Sequence, residues 1–198
     1  MKKIVSAVLA LALALGLCGA FAESSALPAY VYPFADEDPV MAAVTEYLVS
    51  TDLGYTPEEG GILVPAPIEL KREMNADGTE ATVYGNFWVF CYRLNGTVLE
   101  TTSGGENPGV MKLEKKDGKW VVTSLEVAES GDEAFKESLI RFAAGDKQLE
   151  EDYFKSSDAT DGYLPQFRRS FLVEYVNANK LDITAYQDYG WDPVDLTL

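Results

Sequence analysis

Three glycine-bearing reversals divide the middle of the chain into ribbons, and they constrain the fold more than any other feature. Asn75-Ala76-Asp77-Gly78 separates Ile68–Met74 from Thr79–Tyr92, Asn95-Gly96 separates that run from Val98–Ser103, and Lys116-Asp117-Gly118 separates Val110–Lys115 from Lys119–Val127. Each places glycine where a tight hairpin needs a positive φ. Ribbons joined in this way pair antiparallel. The run from Glu80 to Tyr92 ends apolar on both parities, with Phe87, Val89 and Cys91 on one face and Trp88, Phe90 and Tyr92 on the other. Such a strand is expected to be central and covered on both sides. In the last ribbon Trp120 and Val122 share one parity while Leu125 and Val127 have the other, so a bulge near Thr123 or Ser124 is needed to turn all four inward. That bulge would curve the sheet.

Helical spacing flanks this region on both sides. Asp36-Glu37-Asp38-Pro39 supplies an N-cap acid and a first-turn proline ahead of Val40, Met41, Val44, Tyr47 and Leu48, which predicts a helix from about Pro39 to Ser50. After Ser130-Gly131, Asp132 is expected to cap a helix bearing Phe135, Leu139, Ile140, Phe142 and Ala143, ended by Gly145. Asp146 to Phe154 predicts further helical turns with Leu149, Tyr153 and Phe154 on the apolar side. A third helix, about Pro165 to Asn177, gathers Phe167, Phe171, Leu172, Tyr175 and Val176. The ending from Leu181 to Trp191 is too aromatic for a free tail and is expected to pack on the body, with a short strand near Ile183.

The first residues read Met1-Lys2-Lys3, then an apolar run from Ile4 to Leu17, then Ala20-Phe21-Ala22 before Glu23. This is the order of a bacterial-type export signal, and the apolar run is shorter than the ~20 residues a membrane span needs. The organisation expected is therefore a signal peptide at 1–22, an extended lead-in at 23–35, an α+β domain at 36–130 and a helical extension at 131–198 packed on the same domain. No membrane insertion is expected after cleavage, and lipidation of Cys18 stays an open alternative. Without residues 1–22 only Cys91 remains, so no disulfide forms within the chain, and the apolar surroundings of Cys91 in sequence point to a buried, inert thiol.

The whole chain carries a net charge of −16, and removing Lys2 and Lys3 with the leader makes the remainder more acidic still. Such a surface repels nucleic acid and anionic lipid and keeps the protein soluble outside the cell. The chain has no histidine. This removes Ser-His-Asp and Cys-His catalysis, histidine-bound zinc and histidine general bases together. No GxSxG, P-loop or GxGxxG occurs, so an enzyme built on this chain would work with carboxylates, tyrosine or lysine. Asn75–Glu80 and Asp158–Gly162 lack the acid spacing of an EF-hand and read as a turn and a loop. No cofactor and no metal site is expected.

A leading helix followed by a curved antiparallel sheet, ending in the hairpin from Gly109 to Val122 with its Lys115-Lys116-Asp117-Gly118-Lys119-Trp120 turn, resembles the NTF2-like (cystatin-like) superfamily over about Asp36 to Val127. That resemblance implies a cone-shaped sheet closed by the helix, with a pocket or a dimerisation face. The superfamily includes isomerases, dehydratases and binding modules, so it does not choose a function.

The residues with binding character are aromatic. Tyr84, Trp88 and Tyr92 share one strand face at period two, where a curved sheet would let them line a concavity that stacks an apolar or sugar-like ligand, although core packing under a helix accounts for the same pattern. Lys115, Lys116, Lys119, Arg168 and Arg169 read as solvated basic spots. The expectation is a secreted, non-catalytic binding or interaction module for an unknown small molecule or protein. A histidine-free isomerase, dehydratase or hydrolase, and a structural component of a homodimer or larger homo-oligomer, are the alternatives.

Overall fold

The computed structural model describes residues 26–158 and 162–197. Residues 1–22, expected as an export signal, with Cys18 among them, and Asp161 lie outside the described residues.

The chain is α+β: four helices and a curved, open, seven-stranded mixed sheet among the described residues. Helix α1 spans Pro39–Ser50, and the Asp38 side chain caps it by accepting from the Met41 N–H at 2.9 Å. Five strands follow: β1 Ile62–Met74, β2 Glu80–Asn95, β3 Val98–Gly105, β4 Pro108–Lys116 and β5 Lys119–Val127. Strand β1 starts six residues before the expected run. It pairs only with β2, so its outer side needs no donors and Pro65 and Pro67 are tolerated there.

All pairs among β1 to β5 are antiparallel. Strands β3 and β4 run end to end beside β2, in one register from Cys91↔Ser103 through Asn86↔Pro108 and along β4 with a break at Glu106-Asn107, while beyond Cys91 the pairing of β3 shifts by one residue at Thr102. Gly78, Gly96 and Gly118 all adopt positive φ, so the three reversals are built as the residues require. Pairing of Lys112 with Ser124 and of Leu113 with Val122 leaves Thr123 as the extra residue of a bulge. That bulge turns Trp120, Val122 and Leu125 inward, but Val127 remains 42% exposed because the strand ends there.

Strand β2 has no solvent face over Gly85–Tyr92. Phe87 and Val89 pack with α1 through Val44 and Leu48. On the opposite face Trp88, Phe90 and Tyr92 pack under a later helix, α4 (Leu164–Asn179), against Phe171, Leu172 and Tyr175. The same face, nearer Tyr84, is covered by α2 (Asp132–Ala143) and α3 (Lys147–Ser156) through Leu139, Leu149 and Tyr153. Asp132 does not cap α2: Gly131 occupies the N-cap position and Asp132 lies inside the first turn, where its charge still favours the helix dipole. Ile140 and Phe154, expected on apolar sides, are exposed, because each helix rests on the sheet by a narrower stripe than its composition suggests.

The lead-in packs rather than trailing away. Leu27 and Tyr30 join the α4 core, Tyr30 stacks on Tyr175 with ring centroids 6.2 Å apart, and the Tyr175 hydroxyl donates to the Pro28 carbonyl at 2.8 Å. The chain ends in two short strands, β6 Ala185–Gln187, parallel to β3, and β7 Val194–Asp195, antiparallel to β6. Tyr186 is buried there, whereas Tyr189 and Trp191 are not, so the aromatic ending packs on the body only in part.

Two-sided burial of β2 gives a direct expectation. Phe87→Ala should lower the unfolding free energy by about 3–5 kcal/mol, as deletion of a large buried ring does. Val127→Ala, on the exposed strand end, should stay within about 0.5 kcal/mol. Urea unfolding followed by circular dichroism measures both.

Candidate functional site

Strand β2 sets the positions of the three aromatics singled out in the sequence. Trp88 lies under α3 and α4 with its indole N–H donating to the Ser156 carbonyl at 3.1 Å. Tyr92 is fully buried, and its hydroxyl accepts from Arg168 Nε at 2.8 Å. Tyr84 is half-buried further along, packed against the α2–α3 core, with its hydroxyl donating to Glu73 at 3.3 Å. The strand therefore brings Trp88 and Tyr92 into one apolar core and Tyr84 into another, with their polar atoms satisfied inside the protein.

Open space lies instead along α4 and the lead-in. A groove of about 440 Å³ runs between α4, the start of α1 and β1. Phe167, Phe171 and Glu174 follow one another at helical spacing and present one row of α4 to it; Tyr32, Met41 and Pro67 form the facing wall. Three carboxylates border the groove: Asp38, Glu69 and Glu174. Arg72 answers two of them, with Nη1 and Nη2 on the Asp38 carboxylate at 2.9 and 2.8 Å and with Nη2 on Glu69 at 2.6 Å.

Asp38 and Glu174 are shifted in opposite directions. Burial pushes the Asp38 carboxyl up, but hydrogen bonds from Arg72 and the Met41 N–H outweigh it and hold the group below the usual carboxylate range. Glu174 has no hydrogen bond or ion pair among the described residues, and burial pushes its carboxyl above the ordinary glutamate value. Beside it Tyr30 is 6% exposed, and its hydroxyl has no hydrogen-bond partner among the described residues. Burial first, and then the Glu174 charge, raise that hydroxyl far above the ordinary tyrosine range, so it stays protonated.

On the next row of the same helix stands Arg168, only 5% exposed. Its guanidinium lies 4.0 Å from the Phe90 ring centroid and 4.4 Å from that of Tyr186. All three of its nitrogens are engaged: Nε on Tyr92, Nη2 on Thr101 at 2.6 Å, and Nη1 and Nη2 on the two oxygens of Asp188 at 2.8 Å. Burial works against the charge, but Tyr92 and Asp188 more than offset it and hold the guanidinium charged. Since burial keeps the Tyr92 hydroxyl protonated, Asp188 is the counter-charge and Tyr92 an acceptor. Arg168 thus corrects the expectation of a solvated basic spot, whereas Lys115, Lys116 and Lys119 are exposed as expected. The sequence carried a signal for it: Leu164, Arg168, Leu172 and Tyr175 form an apolar row in which the arginine is the one charged member. Arg169 turns outward and donates to the carbonyls of Asp195 and Thr197, tying the C-terminal strands to α4.

No protein-family profile matches the chain, and no curated protein and no solved structure matches it significantly. No described helix is long and apolar enough to cross a membrane.

Replacing Arg168 removes one member of a buried pair, and Arg168→Ala should cost about 3 kcal/mol. This is the low end for such a deletion, because the Asp188 side chain is 41% exposed and water can reach it once the partner is gone. Burial raises the Asp188 carboxyl, but Arg168 outweighs this and holds it below its ordinary value. Its contribution to stability is therefore complete above the ordinary carboxylate range and fades as pH falls through the lowered folded value. Acid unfolding curves should lose that part of their slope in the Arg168 variant.

Proposed function

We propose that this chain is an extracytoplasmic, non-catalytic binding module whose ligand lies in the groove between α4, α1 and β1, and that the ligand has an apolar body and a cationic end. The observation that carries this reading is Glu174, a half-buried carboxylate without a partner among the described residues, at the edge of a groove walled by Phe167, Phe171 and Tyr32. An unpaired carboxylate held partly out of water is costly, and a ligand ammonium would relieve that cost while its apolar part covers the rings. The net charge of −16 draws cations toward the protein from a distance.

The leader-like order of residues 1–22 supports export. The position of α1 against β1, β2 and β5 supports a domain of NTF2-like type, with 131–198 as an extension covering the second sheet face.

A histidine-free enzyme is the second reading, favoured by one observation: Glu174 and Asp38 border the same groove with their acidities pushed apart, the pattern of an acid and base pair. Asp38 weighs against it. That carboxylate caps α1 and is held by Arg72 through both oxygens, so it is committed to structure.

Titration calorimetry with 4-phenylbutylamine and with the neutral alcohol of the same skeleton tests the binding reading. The amine should bind more tightly than the alcohol, and Glu174→Gln should weaken the amine about tenfold with little effect on the alcohol. Pairing needs the ionised carboxylate, so amine affinity should rise as pH climbs through the raised value of Glu174. Equal binding of amine and alcohol would refute the proposal. The same substitution is expected to leave stability at neutral pH unchanged or improved, since a carboxyl raised on folding costs stability above its unfolded value.

A further inference from the structure

Between β6 and β7 the chain reverses through Asp188-Tyr189-Gly190-Trp191, and this turn is locked from within while its largest side chains face solvent. Tyr189 is 99% exposed and Trp191 70%. The Trp191 N–H donates to the Asp188 carbonyl at 3.1 Å, Gly190 takes a φ of 79°, and the Gln187 side-chain amide donates to the Trp191 carbonyl at 2.7 Å. From beneath, Arg168 holds both oxygens of Asp188. Large aromatic rings are normally kept where they can be covered. Here two are presented on a turn whose ordering entropy is already met before any ligand arrives.

Beside the turn lies a cleft of about 260 Å³ bordered by Arg93, Glu100, Gln187, Asp188 and Tyr189. It shares no lining residue with the groove on α4. Arg93 is paired with Glu100 at 2.8 Å and Asp188 with Arg168, so the cleft offers hydrogen-bonding edges without a large unbalanced charge. Its size suits one small ring rather than a drug-sized body, for which pockets of about 300–1,000 Å³ are usual.

We propose that this turn and cleft bind a neutral polysaccharide, with sugar rings stacking on Tyr189 and Trp191 and ring hydroxyls reaching Glu100, Gln187 and Asp188. A sugar ring has an apolar C–H face and a hydroxyl edge, which matches an aromatic face beside a polar cleft. A membrane surface fits less well, because Asp188 and Asp192 rather than lysines flank the rings and the acidic chain repels anionic headgroups. A protein partner needs about 800 Å² on each side, whereas the exposed large apolar side chains of this C-terminal stretch are Tyr189, Trp191 and Val194.

Sedimentation of the full chain with insoluble cellulose, chitin and starch, and affinity electrophoresis in gels containing xylan, provide the test, with phosphatidylcholine vesicles in parallel. At least one polysaccharide should retain the protein and the vesicles should not. The double variant Tyr189→Ala/Trp191→Ala should weaken retention tenfold or more, which is about 1.4 kcal/mol, with an unchanged melting curve because neither ring is buried. Glu174→Gln should keep full retention, which separates this site from the groove. Absence of retention by all the polysaccharides, equal retention of the double variant, or partition into vesicles instead would each overturn the proposal.

Discussion

A strand with no solvent face governs this molecule. From Gly85 to Tyr92 every residue of β2 is buried, so each face of the sheet must be covered by something the chain itself supplies. The first face takes a single helix, α1, already encoded upstream. The second takes three, α2, α3 and α4, all of them after residue 130. At Gly85 the backbones also come close: an added Cβ would stand 2.5 Å from the Ile68 carbonyl, beside the bulge where β1 shifts register past Leu70.

Covering the second face costs hydrogen bonds that side chains then restore. Asn86, fully buried, donates to the carbonyl of Ser156, to Ser157 and to Glu106, and accepts from the Asn107 N–H. Trp88 donates to that same Ser156 carbonyl. Carbonyls at a helix end have no partner within the helix, so the end of α3 is held to β2 by groups the strand provides. Arg168 does the corresponding service for α4 and the C-terminal strands. Its buried charge is tolerable because Tyr92, Thr101 and Asp188 accept from all three of its nitrogens and two rings cover its faces.

Both places proposed to meet a ligand grow from this arrangement of α4. One row of the helix, Phe167, Phe171 and Glu174, borders the groove, and the adjoining row, through Arg168, secures the turn that carries Tyr189 and Trp191. A helix whose main duty is to cover a sheet thereby presents surfaces on both of its flanks.

The amino-acid sequence by itself determined the local elements. The glycine turns, the proline and capping acid at α1, the two-faced run in β2 and the parity change across Thr123 each follow from interactions between residues near in the chain, so they were readable without coordinates. What only the tertiary structure decided is which aromatics become core and which become surface. Tyr84, Trp88 and Tyr92 were indistinguishable from a ligand face until α2, α3 and α4 arrived to cover them, and Tyr189 and Trp191 looked like core until nothing covered them. Period-two spacing assigns a side chain to a face of the sheet. Burial depends on what packs there from more than seventy residues away, as Arg168 does on Tyr92, and no local pattern carries that information.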